Sequence, residues 1–138
     1  MGLEKNDIMK QIFALFFLIS SLGLSQVHAQ EGEEPRFPGC EDALDYDCAD
    51  MKMLQFLFSN LKHPQAAKDA NVQGTVVASF TVKADGSISA PSVKEGLGHG
   101  CDEEVIRLIN LMPKWIPGTD PEGNPIDMEW EIDVKFKN

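Results

Sequence analysis

The chain has 138 residues, and its 22 acidic against 12 basic side chains give a formal net charge of −10 at pH 7. Nucleic-acid binding needs a basic face for phosphate contacts, so this balance argues against it. No Ser or Cys has a recognisable base and orienting partner, and no glycine-rich phosphate loop is present. We therefore expect no enzyme, no catalytic residue, no metal and no cofactor.

The N-terminus has the pattern of an export signal. Lys10 precedes an apolar run over residues 12–24, and Val27-His28-Ala29 forms a cleavage point before Gln30. The run is shorter than the ~20 residues of a membrane-spanning helix, which favours cleavage. We therefore expect residues 1–29 to be a signal peptide, with a retained N-terminal anchor as the alternative.

Two cysteines lie in the segment that follows the leader. Exported proteins meet oxidising conditions, in which disulfides form. Cys40 and Cys48 enclose a short acidic loop and are the favoured pair, although pairing of either one with Cys101 stays open. Residues 30–48 are thus expected to be an extended lead-in, followed by one domain over residues 49–138.

Apolar residues recur at helical spacing after Cys48. Asp50 is the expected N-cap, and Pro64 ends this helix and can open a short second helix over residues 65–70. The pattern favours helical core over a ligand groove for the apolar side chains. They are Met51, Leu54, Phe56, Leu57, Phe58 and Leu61.

A hairpin is predicted next. Residues 74–82 are rich in β-branched and aromatic side chains, and Asp85-Gly86 supplies a strong turn signal. The return strand over residues 87–94 is weaker, and Pro91 within it fits a sheet edge or a bulge. The first strand places on one face Val76, Ala78, Phe80 and Val82.

A third helix starts with acidic residues 102–104, which complement the helix dipole, and ends at Pro113. Its expected buried stripe is Val105, Leu108, Ile109 and Met112. Trp115 is expected to pack on the sheet with its indole N–H on a carbonyl. Cys101 at the helix start would allow a minor thiol-redox role if its pKa were lowered.

The last eleven residues before Asn138 alternate without a break between charged and apolar side chains. Alternation predicts a strand with one buried and one solvated face. The other side of this strand is expected to be an open edge that captures an extended peptide or a second copy of the chain. The charged face comprises Asp127, Glu129, Glu131, Asp133, Lys135 and Lys137.

The elements give the order α-α-β-β-α-β. We therefore predict an α+β domain with a three-stranded antiparallel sheet packed on helices.

Two ordered sets of residues resemble the TonB C-terminal domain family. The first runs from His63-Pro64 through Gly74-Thr75-Val76 to Asp85-Gly86-Ser87-Ile88, and the second contains Lys114-Trp115-Ile116-Pro117-Gly118 and Gly123-Asn124-Pro125. Together with the alternating last strand they cover roughly residues 49–137. The lead-in Arg36-Phe37-Pro38-Gly39 is similar to that of such domains from Bacteroidetes-type bacteria.

The resemblance implies a periplasmic protein that supports energy-dependent transport across the outer membrane. Its implied partners are outer-membrane TonB-dependent transporters, whose extended TonB box would pair with residues 127–137 near His63 and Pro64. Inner-membrane motor proteins are further implied partners. A self-associating accessory domain, a homodimer through the last strand, is the alternative function.

The sequence departs from a full energy transducer in its lead-in. Only residues 31–39 separate the leader from the cysteine segment, and the long proline-rich linker is missing. At about 3.6 Å per residue such a segment cannot cross the periplasm. The resemblance therefore supports peptide binding by this chain more than force transmission.

Overall fold

The protein is described from a computed structural model, which covers residues 31–42 and 45–137. The predicted leader lies outside these described residues. Three helices and three strands form the domain in the predicted α-α-β-β-α-β order, and none of these helices is long and apolar enough to cross a membrane. They are α1 (Tyr46–Asn60), α2 (Gln65–Asp69), β1 (Gly74–Val82), β2 (Ile88–Glu95), α3 (Cys101–Leu111) and β3 (Met128–Phe136).

The three strands form one antiparallel sheet in the order β2-β1-β3. The central strand β1 buries the predicted apolar face, which includes Val76 and Phe80. Its pairing with β3 is continuous over nine residue pairs, from Gly74 opposite Phe136 to Val82 opposite Met128. Both β2 and β3 are therefore edge strands.

Pro91 lies in an irregular stretch of β2. Thr81 pairs with Ser89 and Ser79 pairs with Ser92, so β2 has one more residue than β1 between these two pairs. Ala90 has a φ of 49°, in the left-handed region, within the same stretch. Proline has no N–H to donate to a ladder, and the expected position at an edge or a bulge is confirmed on both counts.

The predicted Asp-Gly turn joins β1 to β2. Gly86 has a φ of 83°, a conformation that suits glycine. Its carbonyl accepts a hydrogen bond from the Trp115 N–H at 2.9 Å, and a Cβ at this position would clash with the Trp115 carbonyl oxygen. The turn therefore also positions the chain that leads into β3.

Trp115 is the centre of an aromatic cluster in the core. Its ring centroid lies 5.3 Å from that of Phe80, 5.7 Å from that of Phe37 and 6.2 Å from that of Trp130, all at steep angles. The prediction that the Trp115 indole N–H bonds to a carbonyl is wrong, since this N–H has no hydrogen-bond acceptor among the described residues. Three aromatic rings contact the indole, and edge-to-face contacts stabilise it there.

The lead-in is part of this core. Arg36 and Ile116 exchange two backbone hydrogen bonds of 2.9 Å, and Phe37 is buried. The Arg36 guanidinium lies 5.0 Å from the ring centroid of Tyr46, at the start of α1, and 3.0 Å from a Glu33 carboxylate oxygen. The lead-in therefore holds the first turn of α1 against the rest of the domain.

Helix α1 begins earlier than the sequence predicts. Its N-cap is Asp45, whose Oδ1 accepts from the Cys48 N–H at 2.8 Å, and not Asp50, which lies inside the helix. An N-cap side chain accepts a hydrogen bond from an unpaired backbone N–H two or three residues later, and Asp45 does so for Cys48. The disulfide between Cys40 and Cys48, the favoured pair, joins the lead-in to this first turn.

Helix α1 has apolar side chains on two opposite faces. Ala49 and Leu57 are buried against the domain, but Met51, Leu54 and Phe58 are 71%, 46% and 76% exposed. At 3.6 residues per turn the exposed three lie on the side of the helix opposite to Ala49. The expectation of core is therefore wrong for Met51, Leu54 and Phe58, because helical spacing alone cannot tell which of two apolar stripes packs inward.

Helix α3 buries most of its predicted stripe, including Val105, Leu108 and Ile109, while Met112 is partly buried. Cys101 is fully buried at its start. Burial and the nearby carboxylates of Asp102 and Glu103 raise the pKa of the Cys101 thiol. The alternative of a low-pKa reactive thiol is therefore wrong.

The end of α1 is held by a pair of charged residues on α3. Glu104 Oε1 accepts from the Lys62 N–H at 2.7 Å, and Arg107 Nη2 donates to the Asn60 carbonyl at 2.8 Å. Arg107 Nε also donates to Glu104 Oε2 at 2.8 Å. Burial raises the pKa of Glu104, but the hydrogen bonds from Arg107 and Lys62 outweigh it, so that this pKa lies below its ordinary value.

We predict that the double substitution Cys40→Ser and Cys48→Ser lowers the free energy of unfolding by about 2 to 3 kcal/mol, because the disulfide closes a short loop in the unfolded chain. Urea denaturation of the two proteins measures the difference. Wild-type protein kept in a reductant should match the double variant. An unchanged denaturation midpoint would contradict the prediction.

Glu104 should make stability depend on pH. A carboxyl group whose pKa is lowered by folding stabilises the protein above its ordinary value of 4.5, and this contribution is lost as the pH falls through the folded value. We expect the wild type to lose more unfolding free energy between about pH 6 and about pH 3 than Glu104→Gln does. Near pH 7, Glu104→Gln should cost about 1 to 2 kcal/mol.

A matched control is Glu103→Gln, which makes the same chemical change on an exposed side chain of the same helix turn. Its denaturation curves should follow the wild type at each pH. Equal pH dependence of all three proteins would show that Glu104 is not the group responsible.

Candidate functional site

The hairpin turn determines which way the backbone of β1 points. The Lys83 N–H donates to the Ser87 carbonyl at 2.9 Å, so Lys83 directs its backbone groups towards β2. Backbone groups of successive strand residues point to opposite sides. Val82, Phe80 and the other even-numbered residues of β1 therefore point towards β3.

This alternation carries over to β3 through its unshifted register. Val82 stands opposite Met128 and Phe80 opposite Trp130, so the even-numbered residues of β3 bond to β1. The N–H and C=O groups of the odd-numbered residues point away from the sheet. Within residues 31–42 and 45–137 no backbone group bonds to them. They belong to Glu129, Glu131, Asp133 and Lys135.

The charged side chains of the last strand fall into two groups. Asp127 precedes β3 and accepts from the Ala84 N–H at 2.7 Å, so it fastens the hairpin turn. Glu129 reaches across β1 to Lys94 on β2, with Oε1 and Nζ 3.2 Å apart. The hydrogen bond from Lys94 and its charge lower the pKa of Glu129. Both carboxylates thus already have partners within the domain.

The remaining four charged residues are exposed, and none has an ion pair or side-chain hydrogen bond with another described residue. They come as two acids followed by two bases along the strand. They are Glu131, Asp133, Lys135 and Lys137.

Two cavities follow one another along the open edge of β3, between this edge and α1, and we call the two together the groove. Its first stretch, which we call the acidic half, has a volume of about 430 Å³. Carboxylates border it on both sides, from Asp50 on the helix and from Glu131 and Asp133 on the strand. Its apolar wall on the helix consists of Met53, Leu54 and Leu57.

The second stretch, the basic half, has a volume of about 380 Å³ and lies beside the end of β3. Lys135 and Lys137 border it on the strand, and Phe58 and Leu61 on the helix side. His63 also lines it, with its ring centroid 5.7 Å from that of Phe136.

Pro64, the other residue that the resemblance implicates, does not line the groove. It is the N-cap of α2 and lies next to Gly100, where an added Cβ would be 3.2 Å from the proline Cβ. His63 and the last four charged residues of the strand thus line the groove. The other three predicted binding residues do not line it, namely Pro64, Asp127 and Glu129.

The helix wall of the groove was missed in the sequence. Leu54 and Phe58 lie on the outward apolar stripe of α1, and each borders one half of the groove. The signal that indicates them is the presence of apolar residues on both faces of one helix. Such a helix needs a second surface to cover it.

The arrangement can accept an additional strand. The outward N–H and C=O groups of β3 provide donors and acceptors in one row, and the groove leaves space beside them. No group of three or more metal-ligating side chains occurs within the described ranges.

Sequence comparison gives the family of the chain. The family described as "Gram-negative bacterial TonB protein C-terminal" matches residues 59–138, more than half of the chain. The chain belongs to the TonB C-terminal domain family. TonB proteins transduce energy for transport in the bacterial envelope and are not enzymes.

Two NMR solution structures of the Helicobacter pylori TonB-CTD are similar to this chain. Both are 26% identical to it. For the first, the TM-score is 0.47, and the match covers 64% of this chain and 78% of the Helicobacter pylori chain. The other has a TM-score of 0.42, with coverage of 63% and 90%. No curated protein matches the chain significantly.

Proposed function

We propose that this TonB C-terminal domain binds extended peptide segments, the TonB boxes of outer-membrane transporters, by adding them as a fourth strand beside β3. The observation that carries the proposal is the row of outward N–H and C=O groups from Glu129 to Lys135. Exposed edge strands invite such pairing unless they are covered or blocked. We place this binding in the periplasm, with residues 1–29 as the export signal.

Backbone hydrogen bonds would supply most of the affinity, and the groove would supply selectivity. Alternate side chains of a guest strand would point either towards α1 or towards the exposed charged face. Membership of the TonB family supports transporters as the source of the guest, since family members act in transport.

Self-association is the second candidate, because the charge order of the edge is self-complementary. In an antiparallel pairing of two β3 strands centred on Asp133, each Glu131 would stand opposite a Lys135 of the other copy. The same centre would, however, put two Asp133 carboxylates opposite each other. Sedimentation of the full chain distinguishes the candidates, since a tight dimer would favour self-association.

Asp133→Pro tests the proposed pairing directly. Proline removes the outward N–H of Asp133 without removing any donor that β1 uses, and edge strands tolerate it. We expect peptide binding to weaken at least about tenfold, the cost of about one to two lost backbone bonds. Titration of a synthetic TonB-box peptide, followed by NMR shifts along β3, measures it.

Asp133→Ala is the matched control, because it removes the carboxylate and keeps the N–H. It should bind the peptide within about threefold of the wild type. Ile132→Pro gives the opposite contrast, since it removes an N–H that bonds to β1 and should impair folding. Wild-type affinity in a well-folded Asp133→Pro protein would rule out strand addition at this edge.

A further inference from the structure

The groove beside β3 has a charge order as well as an open edge. The acidic half carries Asp50, Glu131 and Asp133, and the basic half carries Lys135 and Lys137. Among the described residues none of the four strand side chains in this set has an ion pair. Each is therefore free to interact with a molecule that occupies the groove.

The helix wall is apolar along the same two halves. Leu54 faces the acidic half and Phe58 the basic half, and both are substantially exposed. Helix α1 lies almost wholly before residue 59, where the match to the TonB family begins. Most of this wall therefore lies outside the residues that the family model matches.

We infer that the groove selects an amphipathic guest strand that runs antiparallel to β3, as β1 does, and has a defined charge order. The side chains of the guest that face α1 are apolar. On its other face, a basic side chain lies beside Glu131 and Asp133 and an acidic side chain lies beside Lys135 and Lys137. This inference rests on the proposed strand addition and specifies which extended peptides use it.

The physical basis is cross-strand pairing on the exposed face. Side chains on the same face of neighbouring strands lie about 4.5 to 5.5 Å apart, where opposite charges attract and like charges repel. A guest with the reversed order would place acid beside acid and base beside base. Because these side chains are exposed, the discrimination should decrease as salt screens it.

Two blocked peptides of identical composition test the charge order. One is Asp-Val-Thr-Val-Lys and the other is Lys-Val-Thr-Val-Asp, each acetylated and amidated so that the termini carry no charge. Each peptide presents its charges on one face and its valines on the other. Antiparallel to β3, Asp-Val-Thr-Val-Lys places its Lys beside Glu131 and its Asp beside Lys135, whereas Lys-Val-Thr-Val-Asp places like charges together. In low salt we therefore expect Asp-Val-Thr-Val-Lys to bind about tenfold more tightly, and this difference should shrink towards zero in about 0.5 M salt.

A charge-exchanged protein provides the decisive comparison. Glu131→Lys and Asp133→Lys combined with Lys135→Glu and Lys137→Glu leave the net charge unchanged. The partners on β1 of the three exchanged β3 residues are uncharged, namely Ser79, Val77 and Thr75, so no new like-charge pair arises with β1. The preference between the two peptides should invert in this variant.

The apolar wall has its own matched pair of variants. Phe58→Ser should weaken both peptides several-fold, because Phe58 borders the groove. Met51→Ser makes a comparable change on the outward stripe, but Met51 lines neither half of the groove, and binding should stay at the wild-type level.

The outcomes separate this inference from the proposed function. Equal affinities of the two peptides, or a preference that the charge-exchanged protein does not invert, would overturn the charge order while strand addition stands. Equal effects of Phe58→Ser and Met51→Ser would overturn the helix wall. Binding of neither peptide, together with no binding of TonB-box peptides, would overturn strand addition and this inference with it.

Discussion

The continuous ladder between β1 and β3 is the constraint on which the rest of the molecule depends. Nine residue pairs without a shift fix the parity of every position on β3. Even-numbered residues direct their side chains into the core and their backbone groups to β1. Odd-numbered residues direct both outward. One register therefore decides the core, the open edge and the charged face together, and a shift by one residue would exchange them.

Features that depend on neighbouring residues could be predicted from the sequence. The bounds of β1, the Asp-Gly turn and the place of Pro91 follow from local propensity and from the missing proline N–H. The alternation in β3 similarly indicates which face is buried. The predicted fold class is confirmed. It could be predicted because the order of helices and strands leaves few ways of covering one small sheet.

Features that depend on distant contacts could not be predicted. Asp45 and Asp50 are equally good caps by composition, and the lead-in and its disulfide decide where α1 begins. The sequence likewise offers two apolar stripes on α1, and only the tertiary packing shows which one is exposed. Glu104 is one of three acids at a helix start, but tertiary packing gives it the Lys62 N–H. The helix side of the candidate site was missed for these reasons.

The row of outward backbone groups on β3 also has a mechanical consequence. A strand added along this edge would lie side by side with β3 along the same axis. A pull along that axis would then be shared by all the hydrogen bonds between the two strands at once. The bonds must then break together, whereas a pull at right angles would open them one after another. A strand bound at the edge of β3 would thus resist load in one direction and be released readily in the other.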